Sequence, residues 1–310
     1  METEPIRFRP IYMERVWGGR SLETVYGRKL PSAETPFGES WEMVDRPEAQ
    51  SIVDGGEFDG KSLHDLWVEH RETIFGGGEG ERFPLLMKIL DAREKLSVQV
   101  HPPAAIAPEL GGEPKTEMWY VAAAEPGAEL YIGLRDGVSK QGFVESIGQG
   151  TTAEQLHPVA GRAGESIFIP SGRLHAIGAG YLIFEIQQNS DTTYRVFDWN
   201  RVGLDGKPRD LHVDESIACI DFDDHEPAMD APDGELLAEC PEFRVERWTL
   251  ESGRNAAAEG GFAIIAVTEG SLRCGSSQFR AGDFFLIPAS QASAELVPLE
   301  DSATILRTTC

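Results

Sequence analysis

No CxxC pair occurs in this chain. Its four cysteines, Cys219, Cys240, Cys274 and Cys310, are scattered through 310 residues. That leaves no thiolate metal centre and no disulfide framework to build on, and such scatter fits a reduced, cytoplasmic protein. Nor is there a run of about 18 apolar residues, the length a helix needs to cross a bilayer. The opening stretch, Met1-Glu-Thr-Glu-Pro-Ile-Arg7, has no apolar leader core, so a soluble protein is expected. Positive charge is scarce too: 28 Lys and Arg stand against 52 Asp and Glu, a formal net charge of −24. A surface of that sign repels nucleic acid and anionic membranes. The expected partner is a small molecule, and an anionic one has to be met by basic residues gathered against the overall field.

What is present is β-patterned. The 41% of hydrophobic residues suffices for a core, and 33 Gly and 19 Pro are spread throughout. Short apolar or alternating runs bounded by turn residues predict strands over 82–90, 96–100, 117–123, 129–134, 166–170, 181–187 and 193–197. This argues for sandwiches or barrels rather than βαβ units. Helical spacing is confined to 62–75, where Ser62 and Asp65 stand at capping positions, and to short pieces at 139–147 and 153–156.

One segment has an echo. Arg162-Ala-Gly-Glu-Ser-Ile-Phe-Ile-Pro-Ser171 returns 118 residues later as Arg280-Ala-Gly-Asp-Phe-Phe-Leu-Ile-Pro-Ala289. Ahead of each lies a second parallel, Trp119-Tyr-Val-Ala-Ala-Ala-Glu-Pro-Gly127 and Ala263-Ile-Ile-Ala-Val-Thr-Glu-Gly270. A His follows the first copy at 175, whereas the aligned position in the second is Ser293. Two related β units are expected, 1–222 and 223–310, joined by the acidic stretch 221–233. The turn–acid–strand–Pro pattern resembles the cupin family. That likeness implies a mainly β fold of two cupin-type (jelly-roll) β-barrels, the first with added helices, and a metal held inside the first by two motifs far apart in sequence.

Strand alternation suggests which residues would hold it. In Leu96-Ser-Val-Gln-Val-His-Pro102, Gln99 and His101 share a face; in Lys115-Thr-Glu-Met-Trp-Tyr120, so do Lys115, Glu117 and Trp119. With His175 they make a donor set of two imidazoles, a carboxylate and an amide, which suits a borderline divalent ion such as Zn²⁺. The ion would keep net positive charge, as a Lewis acid must to polarise a carbonyl or hydroxyl. Lys88 interrupts the apolar run Pro84-Leu-Leu-Met-Lys-Ile-Leu90, a costly place for a charge unless it is paired or faces a wet cavity. Ser97 shares the Gln99 face, Lys115 the Glu117 face, and Glu185 and Arg195 follow His175 at ten-residue steps. Two Lys, an Arg and a Ser around a metal suit a phosphate dianion.

The segments taken together resemble the type I mannose-6-phosphate isomerase family in its short bacterial form. The matching pieces are Val16-Trp-Gly-Gly19, Gly38-Glu-Ser-Trp-Glu42, Lys88 through His101-Pro102, Lys115-Thr-Glu-Met-Trp-Tyr120, Ile169-Pro-Ser-Gly172 with His175-Ala176, and Glu185-Ile-Gln-Gln-Asn-Ser-Asp-Thr-Thr-Tyr-Arg195. They span roughly 6–222. Two departures lie beside the site: Pro103-Ala-Ala-Ile-Ala107 replaces acidic residues, and Pro114 stands where Gly is usual. The resemblance implies an aldose–ketose isomerase moving a proton between C2 and C1 of a sugar phosphate through an enediolate. It also implies one zinc ion per chain on Gln99, His101, Glu117 and His175, with Arg195 in the active site and Lys88, Lys115 and Ser97 contacting substrate. The general base is left open between Glu185 and Lys115. Arg195 is expected to stabilise the enediolate, with phosphate binding as its other role. Competing readings are a cupin metal oxidoreductase, which the neutral Gln99 disfavours, and a sugar-phosphate-binding cupin without turnover.

Overall fold

A run that is apolar almost without a break reads as a strand covered on both faces, and Leu85–Ala92 is buried along its whole length. In the computed structural model, which describes residues 4–310, this strand lies inside a six-stranded sheet. The order is Ser166–Ile169, Glu117–Ala124, Tyr181–Gln188, Leu85–Ala92, Ile11–Gly19, Phe37–Met43, and Leu85–Ala92 also pairs directly with the last. A five-stranded sheet faces it, ordered Leu156–Val159, Leu130–Leu134, His175–Ile177, Val98–Val100, Tyr194–Phe197. The mainly β class and all seven expected strands are present, each within a few residues of its sequence-derived bounds. The layers are open facing sheets rather than the closed barrels anticipated.

Ser62 and Asp65 cap the helix Leu63–Glu69 reciprocally: the Asp65 amide donates to Ser62 Oγ at 3.0 Å and the Ser62 amide to Asp65 Oδ2 at 2.8 Å. The helix is shorter than the 62–75 spacing predicts. His70 leaves helical geometry at φ −127°, ψ 22°, and Arg71–Phe75 continues as a wider π turn ending at Gly76, φ 77°. The stretch 139–147 forms the helix Lys140–Gln149, capped by Ser139, and the expected piece at 153–156 is a 3₁₀ turn, Thr152–Gln155.

The second half contributes Leu236–Glu239, Arg244–Leu250, Ala303–Thr309, Ala263–Glu269 and Phe284–Ile287 to a seven-stranded sheet that is completed by Ile6–Arg9 and Ile52–Val53. Strands from the start of the chain thus join strands from its end, with Ile6 opposite Leu286 and Arg7 opposite Phe285. The largest apolar cluster crosses the same line: Phe184 stacks on Phe284 with ring centroids 5.5 Å apart, and Phe262 packs against Phe75 and Phe83.

The echo noticed in the sequence is built alike in both places. The Arg162 amide donates to Glu165 Oε2 at 2.8 Å, and the Arg280 amide to Asp283 Oδ2 at 2.9 Å. Gly164 and Gly282 occupy the left-handed region, φ 86° and 91°, and donate to the Val121 and Val267 carbonyls. The following strands pair with Ile169 opposite Glu117 in one copy and Ile287 opposite Ala263 in the other. Ala263 therefore stands where the first unit has Glu117, two positions away from the sequence alignment, which set it against Trp119.

Candidate active site

Register builds the site. His175 lies opposite Gln99, and Gln99 opposite Arg195, so these three form a row across three strands of the five-stranded sheet. On the facing sheet Trp119, Glu185, Lys88 and Trp41 form a second row, again by direct pairing. Glu117 begins its strand beside that row, and His101 directly follows Val98–Val100. Cross-strand neighbours on one face sit about 5 Å apart, which is how residues far apart in sequence meet here.

The centre is dry. His101, His175 and Glu117 are at most 1% exposed. The Nδ1 atoms of His101 and His175 lie 2.9 Å from the carbonyls of Thr192 and Arg173. A carbonyl only accepts, so each Nδ1 carries the proton and each neutral ring turns its Nε2 lone pair inward. These lone pairs face the Glu117 carboxylate, His101 Nε2 at 3.4 Å from Oε2 and His175 Nε2 at 3.6 Å from Oε1. Glu117 Oε1 has no hydrogen-bond partner, and Oε2 is met only by the Lys115 ammonium from the side. Acceptors turned on acceptors at this range repel unless a cation lies between them, so the donor set fits a metal ion. The Gln99 amide reaches the same point, with Nε2 3.3 Å from His175 Nε2, and a half-turn of that amide presents its oxygen instead. Among the described residues, His101, Glu117 and His175 form the one cluster of three or more such side chains close enough to share a metal. Burial, reinforced by Lys115, pulls His101 down to about 3, which keeps it neutral at working pH.

Charges alternate around this centre. Lys115 Nζ lies 2.9 Å from Glu117 Oε2, and Lys88 Nζ lies 3.1 Å from Glu185 Oε1. Glu185 Oε2 accepts from Trp119 Nε1 at 3.0 Å. Burial and the nearby Glu117 push the Glu185 carboxyl up against the pull of the two lysines. For Lys88, burial favours the neutral amine, but Glu185 and Glu39 outweigh it and hold the group charged. The Ser97 hydroxyl donates to Gln99 Oε1 at 3.3 Å. Arg195 donates from Nη1 to the Asp210 carbonyl at 2.8 Å, its Nε is buried without a hydrogen-bond partner, and among the described residues no carboxylate pairs with it.

A cavity of about 570 Å³ opens onto Gln99, Ser97, Lys115, Lys88, Glu185 and Arg195. It also meets residues that the sequence reading did not single out: Arg15, Trp17, Glu39, Asp191 and Arg209. Trp17, Glu39 and Asp191 lie inside the motifs that carry the family resemblance, so a signal was there to follow. Arg209 lies outside them and outside regular structure, where no periodicity indicates direction. Arg15 forks onto Glu39, with Nε and Nη2 donating at 2.9 and 3.1 Å, and Trp41 Nε1 donates to the same carboxylate at 2.6 Å. In the second unit Ala263 holds the Glu117 position, and Ser293 is exposed.

Residues 6–136 match the family model described as "Phosphomannose isomerase type I, catalytic domain". Over 302 residues the chain is 39% identical to the mannose-6-phosphate isomerase ManA of Bacillus subtilis, covering 93% of this chain and 94% of that protein. Its structure is similar to the crystal structure of the mannose 6-phosphate isomerase from Bacillus subtilis, with TM-score 0.89, 34% identity, and 99% and 100% of the two chains covered. A mannose 6-phosphate isomerase bound with zinc and yttrium shares the fold at TM-score 0.75 and 16% identity, over 99% of both chains. Among the described residues no helix is long and apolar enough to cross a membrane.

Proposed function

The chain belongs to the type I phosphomannose isomerase family, and on that premise we propose how its pocket divides the work. The activity is aldose–ketose isomerisation, interconverting mannose 6-phosphate and fructose 6-phosphate, and it depends on a metal. The metal is zinc, held by Gln99, His101, Glu117 and His175. The observation that carries this is the convergence of two imidazole lone pairs on one buried carboxylate. Zinc bound there supplies a Lewis acid for the negative charge that develops on O1 and O2 of the sugar.

The protein supplies the rest. Glu185 takes the proton from C2 and returns it to C1. Its carboxyl lines the cavity, and Lys88 at 3.1 Å favours its ionised form against the burial that raises it. Lys115 stays against Glu117 and adds positive charge beside the enediolate. Ser97 and Lys88 contact the sugar. Arg195 is assigned to the phosphate rather than to the enediolate, because it is the cavity-lining cation with no carboxylate partner among the described residues. Binding energy spent on the remote phosphate then orients the reacting carbons. The chemistry is proposed to belong to 1–222 alone, with 223–310 as a supporting unit. With four free cysteines, a reducing, cytoplasmic setting is proposed.

The test is a coupled assay with mannose 6-phosphate in and fructose 6-phosphate out. Chelation is expected to abolish turnover and Zn²⁺ to restore it. Full activity in metal-free protein would overturn the zinc assignment. Solvent-isotope exchange at C2 tests the base, with Glu185→Gln expected to lose exchange while retaining its metal.

A further inference from the structure

We infer that Arg209, clamped by Asp198, is a second substrate-positioning arginine, which with Arg195 grips the phosphate and sets the preference for phosphorylated over free aldose. The inference rests on the reading of the cavity as a sugar-phosphate site and adds a residue to it. Arg209 lies in Gly206-Lys-Pro-Arg-Asp-Leu-His212, outside every segment that carried the family resemblance.

Asp198 directly follows the strand Tyr194–Phe197 and is buried. Its carboxylate takes a fork from Arg209, Nε to Oδ2 at 2.7 Å and Nη2 to Oδ1 at 2.5 Å, and also accepts from Arg201 Nε at 3.0 Å. The fork fixes the plane of the Arg209 guanidinium. Arg209 Nη1 has no protein partner among the described residues, and the side chain lines the cavity. Arg195 lines it too, tied only to a carbonyl. Two guanidiniums held in one cavity repel, and the Arg209 charge is felt at Arg195. A dianion between them turns that repulsion into a two-armed grip.

A purely structural role accounts for less. The segment is already tied back by Arg195 Nη1 on the Asp210 carbonyl and by the His212 amide on the Arg195 carbonyl, and a tie does not require a guanidinium lining the substrate cavity.

The experiment uses the zinc-loaded full chain. It measures KM and kcat for mannose 6-phosphate and the competitive inhibition constant of inorganic phosphate, in wild type, Arg209→Gln, Arg209→Lys and Asp198→Asn. Loss of one charge-assisted contact in Arg209→Gln should raise both KM and the phosphate inhibition constant about tenfold, with kcat changed less than about twofold. Arg209→Lys, which keeps the charge without the fork, should fall between, and Asp198→Asn should raise KM by freeing Arg209. An unchanged phosphate constant in Arg209→Gln, or a fall in kcat at constant KM, would overturn the role. If Arg209→Gln does not fold, Arg209→Lys decides by the same two constants. Should wild type fail to turn over mannose 6-phosphate, the reading of the cavity falls, while calorimetric titration with inorganic phosphate still separates wild type from Arg209→Gln and judges Arg209 independently.

Discussion

His101 Nε2 faces Glu117 Oε2 at 3.4 Å across the gap between two sheets, with both groups buried and no hydrogen bond closing the approach. The proton of His101 is committed elsewhere, to the Thr192 carbonyl, so the pair is organised around a cation rather than around itself.

Glu117→Gln is the most direct probe of that relationship. The amide is nearly isosteric but removes the site's only anionic donor and leaves Lys115 without its partner at 2.9 Å. Zinc affinity should fall by more than the roughly 10–100-fold typical of losing an outer-shell partner. Metal content per chain, measured by elemental analysis after gel filtration, checks it. A variant that retains stoichiometric zinc at wild-type affinity would remove Glu117 from the ligand set.

Strand alternation made much of this centre legible. Gln99 with His101, and Lys115 with Glu117, share faces because side chains in a strand repeat every two residues, and the pairing of sheets then closed the distance. The reciprocal cap at Ser62 and Asp65 was legible for a similar local reason. The break at His70 was not, since 62–75 keeps its apolar spacing through a change of helix type. The pairing of Ile6 with Leu286 was hidden because strand partners far apart in sequence leave no local trace. Asp198 and Arg209 were hidden because their directions are set by the chain's path rather than by a period.

That long-range pairing has a consequence for stability. Phe184, on the strand that carries Glu185, stacks on Phe284 in the second half. Phe184→Ala should cost about 3–5 kcal/mol. Urea unfolding followed by both circular dichroism and tryptophan fluorescence should remain one transition with a lowered midpoint. Two separated transitions in the variant would show that the halves do not share their core.

Glu39 supplies a pH signature. Burial raises its pKa, but Lys88 and Arg15, with hydrogen bonds from Arg15 and Trp41, outweigh burial and hold it at about 2. A folded-state value below the unfolded one stabilises the protein above the ordinary glutamate range, and that stability is lost as pH falls toward 2. The contribution is on the order of 3 kcal/mol. Glu39→Gln should therefore destabilise the protein at pH 7 while flattening the acid arm of its stability curve, so the two proteins converge near pH 2. Denaturant midpoints across pH 2–7 check this, and parallel curves would contradict it.

Lys88 and Glu185 separate stability from chemistry. The pair is buried, and Lys88 is also flanked by the Trp41 ring at 5.3 Å. Removing one member of such a pair leaves a buried charge alone and costs about 3–5 kcal/mol. Lys88→Met should do so, and because it takes a positive charge away from Glu185 it should raise that carboxyl further. A base that stays protonated to higher pH moves the acid limb of the kcat profile upward. Adding Glu185→Gln to Lys88→Met removes the stranded charge, so the double variant should regain much of the stability. It should regain none of the turnover, since the proton carrier is gone. Recovery of activity along with stability would show that Glu185 serves only to balance Lys88, and the base would then have to be sought at Lys115.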